Sequence, residues 1–190
     1  SSLDFDSQWP EEAIAELFSI TQTVQILCLT RQSVYGSNFV NSYLSTQLRA
    51  VYDPNSYGPV YHGMPIIIQQ NDHRLSLYNG DTGIILKDKR HHYWAVFQRN
   101  DRFIRFPVET LAPYELAFAI TVHKSQGSEY QSTLLILPDT DNRLLSREIL
   151  YTAVTRAKTE LLIYGSIETL QIGIDKKLHR ESGIELWSNA

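Results

Sequence analysis

The period of the apolar positions changes twice along this chain, and the changes divide it. Near the start, Ala13, Ile14, Leu17 and Phe18 recur at helical spacing. They follow Trp9-Pro10-Glu11-Glu12, where the proline suits a first helical turn and the carboxylates suit its positive end. The run Val24 to Leu29 reads as a buried strand, followed by the polar loop Thr30-Arg31-Gln32-Ser33. A second helical stripe, Phe39, Val40, Tyr43, Leu44 and Leu48, begins behind Asn38, a candidate N-cap. From Asp53 to about Pro113 the helical period is gone. Strand-like runs at Pro65 to Gln70, Gly83 to Leu86, Tyr93 to Phe97 and Arg102 to Phe106 alternate with turns such as Asn79-Gly80-Asp81 and Arg99-Asn100-Asp101.

After Pro113 strand and helix alternate again. The pattern predicts strands over Glu115 to Val122 and Thr133 to Leu137, then a helix capped by Ser146 and running to about Lys158. A further strand, Leu161 to Tyr164, stops at Gly165, and a helical tail stops at Arg180-Glu181-Ser182-Gly183. This texture implies an α/β fold with a parallel sheet built from residues 1–50 and 114–190. Residues 51–113 form an all-β insert, expected to be a small SH3-like β-barrel. A block of about 60 residues is marginal alone, so it should lean on the flanking unit.

Composition narrows the setting without naming a chemistry. The chain is 43% hydrophobic and 20% charged, as in ordinary globular proteins. Its one cysteine, Cys28, lies inside an apolar run, which excludes a disulfide framework or a cysteine-based zinc site and suggests a buried thiol. No run is long enough to cross a membrane, and the expected location is a reducing cytoplasm. A formal charge of −4 gives no global attraction to nucleic acid. Six Lys/Arg against two Asp between Lys87 and Arg105 nevertheless make one local basic face, compatible with nucleic acid, an acidic partner, or a solvated hairpin surface. The aromatic residues there (Tyr93, Trp94, Phe97, Phe103 and Phe106) are expected mostly in the core of the insert.

The chemistry concentrates in Ala119-Ile120-Thr121-Val122-His123-Lys124-Ser125-Gln126-Gly127-Ser128-Glu129-Tyr130. In open parallel sheets, ligands sit at the C-terminal ends of strands. By that rule, the Thr30 loop, this stretch and the region around Arg156 are the candidate site. Arg31 and Arg156 can offer forked donors to phosphate, and Lys124 a point charge. Thr121, His123, Ser125 and Gln126 can hydrogen-bond sugar or phosphate oxygens, and Glu129 can accept from ribose hydroxyls. No Gly-x-x-x-x-Gly-Lys-Ser/Thr loop is present, and Asp139 and Asp141 lie in a turn rather than at a strand end suited to Mg²⁺. The residues describe half of an ATP site.

Ala119 to Tyr130 resembles motif V of superfamily 1 helicases. Leu150-Tyr151-Thr152-Ala153-Val154-Thr155-Arg156-Ala157-Lys158 resembles their motif VI, and Asn79-Gly80-Asp81-Thr82-Gly83-Ile84 resembles a segment of the 5′→3′ branch. The similarity is strongest to the RecD family, the alpha chains of bacterial exodeoxyribonuclease V, and continues into Arg180 to Gly183. The resemblance implies a second RecA-like motor domain (2A) without its own P-loop, interrupted by an SH3-like 2B insert. It implies Arg156, on the motif VI helix, as arginine finger and Arg31, by similarity to motif IV, as a second γ-phosphate contact. Gln126, Gly127 and Glu129 would face nucleotide, and Thr121, His123, Lys124 and Ser125 would touch single-stranded DNA. ATP with Mg²⁺ would be held mainly by an N-terminal motor domain outside these residues, so this chain alone is expected to be inactive as an ATPase. The implied setting is a DNA helicase working with RecB and RecC in double-strand break repair and recombination, with no protein-bound metal here. Two other readings remain: a non-catalytic DNA- or protein-binding adaptor using the barrel, and a RecD-like helicase that works without RecB and RecC.

Overall fold

The apolar run behind the first helix is the strand on which the first sheet is built. In the computed structural model, which describes residues 9–56, 58–100 and 102–177, this is β1 (Val24–Cys28). Parallel partners flank it on both sides: β7 (Ala119–Thr121) and β8 (Tyr130–Ile136). β9 (Ala157–Tyr164) adds to β8, giving the all-parallel order β7-β1-β8-β9. The expected features at Asp101 and Arg180 to Gly183 lie outside the described residues. Leu27, Leu135 and Leu161 pack with Ile149, Leu150 and Ala153 of α3 (Arg147–Val154) and with Leu170 of α4 (Ile167–Asp175). Ser146 caps α3 as expected, accepting from the Ile149 N–H.

The second sheet is antiparallel, ordered β5-β4-β3-β2-β6. Its strands are β2 (Met64–Ile68), β3 (Thr82–Lys87), β4 (Tyr93–Arg99), β5 (Arg102–Pro107) and β6 (Tyr114–Leu116). Its core holds Tyr61, Ile66, Ile68, Ile85, Ala95 and Phe97, with Phe106 6.3 Å from Phe97, ring centre to ring centre. Phe103 lies against Phe18, so the aromatic residues serve packing, as the sequence suggests.

Four expectations change. α1 (Glu11–Thr21) was grouped with the parallel unit, but its buried Ile14 and Phe18 lie on Ile84, Leu86 and Val96 of the antiparallel sheet. α2 (Ser37–Tyr52) starts two residues early, behind Gly36, so Asn38 is not its cap. The predicted strand over Glu115 to Val122 is two strands. β6 is an edge of the antiparallel sheet and β7 an edge of the parallel one, so the boundary drawn before residue 114 falls short of the true crossing. Finally, α3 ends at Val154, because parallel pairing with β8 takes the chain into β9 from Ala157 onward. Tertiary pairing overrides the local helical pattern there.

The crossing between sheets leaves backbone groups that neither ladder satisfies. Asn41, buried on α2, donates Nδ2 to the carbonyls of Leu116 (2.9 Å) and Ala119 (2.8 Å). Its Oδ1 accepts from the Ala119 N–H at 2.8 Å. From β1, Gln25 donates to the Phe118 carbonyl at 3.0 Å. Two buried amides thus satisfy carbonyls and an N–H along the connection.

Two buried carboxylates organise the antiparallel sheet's outer end. Asp53 accepts from Lys87 Nζ (2.8 Å), Tyr93 OH (2.8 Å) and the His62 N–H (3.1 Å). Asp88 accepts from Trp94 Nε1 at 3.0 Å and from the Arg90 and His92 N–H groups. Burial opposes both charges, but these donors outweigh it and hold both carboxyls below their usual value. Lys87, expected in a surface basic face, is therefore a structural cation, only 21% exposed.

Two measurements follow from this packing. Asn41→Ala removes all three hydrogen bonds and should cost about 3 kcal/mol in denaturant unfolding, while Ser42→Ala on the exposed face should be neutral. Because both folded carboxyls lie below their unfolded values near ~3.9, their stabilisation is complete above that pH and is lost as acid titrates the folded groups. The melting temperature should fall steeply below about pH 4, and Asp88→Asn should flatten that limb.

Candidate functional site

The sequence-predicted residues separate onto two edges of the parallel sheet. Thr121 ends β7 level with Cys28, and Cys28 is level with Ile136 at the end of β8. Tyr130, where β8 starts, pairs with Ala157 at the start of β9, six positions before Ile136. At ordinary strand rise the two edges are about 20 Å apart. Thr121, His123, Lys124 and Arg31 belong to the C-terminal edge, whereas Ser128, Glu129 and Arg156 belong to the N-terminal one. The rule that ligands gather at strand C-termini is met for only half of the site.

Residues 122–129 make the journey between edges as a chain of hydrogen-bonded turns. The Ser125 N–H donates to the Thr121 carbonyl at 3.1 Å, Gln126 to His123 at 3.3 Å, and Ser128 to Ser125 at 3.0 Å. The Thr121 hydroxyl accepts weakly from the Lys124 N–H at 3.4 Å. Ser125 was expected to touch nucleic acid, yet it is fully buried and its hydroxyl donates to the Val122 carbonyl at 2.8 Å. It pins the turn from inside. Gly127 sits at φ +86 with open space around its Cα, so the need for glycine is conformational. His123, Gln126, Ser128 and Glu129 are exposed.

At the C-terminal edge the two predicted cations converge. Arg31 Nη2 donates to Glu115 Oε2 at 2.5 Å, and Lys124 Nζ bonds the other carboxylate oxygen, Oε1. Gln69 Nε2 donates to Glu115 Oε2 at 2.6 Å. The Arg31 backbone is set by the start of α2: Ser37 donates to the Thr30 carbonyl and Asn38 to the Arg31 carbonyl. Gly36 permits this approach, since a Cβ there would lie 2.6 Å from the Arg31 oxygen. Glu115, Gln69 and Asn41 were not singled out by sequence reasoning; only their place in pairing could have revealed them.

Arg156 lies not on the α3 helix but in the turn between α3 and β9. Its Nε donates to the Thr152 carbonyl (3.0 Å), Nη1 to the Ser128 carbonyl (3.0 Å) and Nη2 to the Thr155 hydroxyl (3.1 Å). Its own carbonyl accepts from the Tyr130 N–H at 2.8 Å. Arg156 therefore ties α3 to the far end of the Ala119–Tyr130 stretch. Glu129 meets Lys158 of β9 at 3.6 Å, both side chains at least half exposed. Lys158 thus serves this pair instead of a helix end. Arg31 and Arg156, on opposite edges about 20 Å apart along the strands, cannot grip one phosphate together within this chain.

An adjoining cavity of about 330 Å³ is lined by Gln25, Gly80, Thr82, Gly83, Ser128 and Glu129 among others, bringing the Asn79–Gly83 turn beside the same loop end.

Residues 116–164, from the end of β6 through β9, match the UvrD-like helicase C-terminal domain family. The chain is 34% identical over 166 residues to the RecBCD enzyme subunit RecD of Buchnera aphidicola subsp. Schizaphis graminum, covering 84% of this chain and 28% of that subunit. It is 39% identical over 124 residues to RecD of Haemophilus influenzae, covering 65% and 18%. The ATP-dependent RecD2 DNA helicase of Deinococcus radiodurans is 29% identical over 155 residues, covering 78% and 21%. In fold, a Pif1 helicase solved for DNA unwinding at forked dsDNA superposes with a TM-score of 0.51 at 20% identity, covering 80% of this chain and 42% of that one. The chain thus spans less than a third of the length of the RecD subunits it matches. The RecD relatives, with the family match over residues 116–164, establish that the chain belongs to the RecD family, in a stretch similar to a helicase C-terminal domain.

Proposed function

We propose that this chain is the second motor unit of an ATP-dependent 5′→3′ DNA helicase, a RecA-like 2A domain carrying an SH3-like 2B insert. The observation that carries the reading is the path of residues 122–129 from the Thr121 edge to the Arg156 edge. One continuous set of turns then touches two ligands. Thr121, His123 and Lys124 face the phosphates of single-stranded DNA at one end. Gln126, Gly127, Glu129 and Arg156 face nucleotide toward the other.

The groups present suit the outer side of a nucleotide whose phosphates are cradled elsewhere. Arg156 uses one N–H of each nitrogen on Thr152, Ser128 and Thr155, leaving one on each terminal nitrogen of the five its guanidinium carries. Exposed Glu129 offers carboxylate oxygens for ribose hydroxyls. ATP–Mg²⁺ supplies the transferable phosphoryl group, and this chain's part is to set a guanidinium against its developing charge. Single-stranded DNA and RecB and RecC are the partners in this reading, and break repair and recombination its setting. Of the six cations on which the adaptor reading rests, Lys87 is committed to Asp53.

The 190-residue chain alone should hydrolyse no ATP with single-stranded DNA present. In the full-length helicase, Arg156→Ala should lower kcat by about a thousand-fold or more while the Kd for ATP stays within a few-fold. Loss of ATP binding together with a lower melting temperature would instead assign Arg156 to anchoring Ser128. Stopped-flow turnover and equilibrium binding of a fluorescent ATP analogue separate the two.

A further inference from the structure

The motif similarity assigns Arg31 to nucleotide and Lys124 to DNA, but the geometry brings them to one carboxylate. Glu115 takes Arg31 on one oxygen and Lys124 on the other, so the two cationic heads stand side by side. They arrive from different loops, one after β1 and one after β7, at the same edge of the sheet. Arg31 is half exposed and uses a single donor on Glu115, leaving donors of its fork for a ligand. Lys124 Nζ likewise has donors beyond the one on Glu115. With one carboxylate against two cations the cluster keeps a net positive charge, and exposed His123 adjoins it.

We infer that Arg31 and Lys124 form a single two-cation site for one phosphate of the nucleic-acid backbone, with Glu115 as its positioning residue. The inference rests on the helicase reading above. Three features favour a backbone phosphate over the nucleotide. Thr121, the strand-end hydroxyl, and His123 belong to this edge, whereas Arg156 and Glu129 belong to the other. Two cations held side by side on one carboxylate, each with donors to spare, match the multidentate recognition that phosphate favours. The third is Gln69, which follows β2 and shares Oε2 of Glu115 with Arg31. Through it the antiparallel sheet sets the orientation of the cluster, giving the insert a defined mechanical link to the strand being moved.

A neutralising role and a positioning role for Glu115 predict opposite signs. If Glu115 only cancels charge, Glu115→Gln raises the local positive charge and tightens binding. If it positions the pair, the same variant loosens two long side chains and weakens binding. In the full-length helicase, oligo-dT affinity should be measured as a function of salt. Arg31→Ala and Glu115→Gln should each weaken binding roughly ten-fold near 0.1 M salt and reduce the slope of log K against log salt by about 0.7, one single-strand phosphate. Glu115→Gln should add no more than about two-fold to an Arg31→Ala/Lys124→Ala protein, because it acts through those residues. KM for ATP should stay within about two-fold in Arg31→Ala.

A raised KM for ATP with intact oligo-dT affinity would return Arg31 to the nucleotide and overturn the inference. Tighter oligo-dT binding with a steeper slope in Glu115→Gln would overturn the positioning role. Arg31, being half exposed, tests the site even if Glu115→Gln lowers the melting temperature. If Thr121→Ala/His123→Ala also leaves oligo-dT binding untouched, the helicase reading itself fails; if it weakens binding while Arg31→Ala does not, only the two-cation site fails.

Discussion

Parallel strands cannot be joined by a tight turn, and this constraint governs the whole arrangement. β7 ends where β1 and β8 end, so a chain that continues into β8 has to return along the length of the sheet before it can start again. The eight residues from Val122 to Glu129 are that return. In many α/β proteins such a crossover is a helix. Here it is a string of short turns held by backbone bonds and by the buried Ser125 hydroxyl. Polar side chains at its two ends consequently lie at opposite edges of one rigid sheet.

The second constraint is the passage between sheets. β6 and β7 are separated by only Ala117 and Phe118, yet they belong to different ladders. The linking backbone is buried and would hold unsatisfied polar groups without Asn41 and Gln25. Such satisfaction makes the passage stiff. Glu115, one residue before β6 ends, is therefore fixed relative to β7, and Lys124 and Arg31 inherit that fixed reference.

How much of this was legible follows from which signals are local. Strand and helix periods gave the element order, the parallel sheet and the β-rich insert, because burial on one face writes itself into spacing. Ser146 as an N-cap and Cys28 as a core thiol, its pKa pushed up to about 12 by burial, were legible for the same reason. The larger failures are pairing effects. An apolar run such as Glu115 to Val122 does not reveal that its halves bond to different sheets. The end of α3 was hidden because Ala157 and Lys158 suit a helix equally well until β8 claims them. Ser125 looked like a ligand contact because a polar residue in a polar loop does not disclose that its hydroxyl turns inward. The two edges were merged because motif order is linear, whereas the return of residues 122–129 is a matter of topology.

That return also explains why Arg156 can be both anchored and available. Its Nη1 bond to the Ser128 carbonyl ties it to the end of the same loop whose start carries Thr121 and His123. In the proposed helicase, a guanidinium drawn toward a phosphoryl group would strain or release that one bond. The turns between Ser128 and Thr121 are linked serially, Ser128 to Ser125 and Ser125 to Thr121. Ser125 blocks the alternative, in which the loop would lift off the sheet, because its hydroxyl and side chain are already inside. In the proposed helicase, a displacement passed along these turns would run between the edge proposed for nucleotide and the edge proposed for DNA.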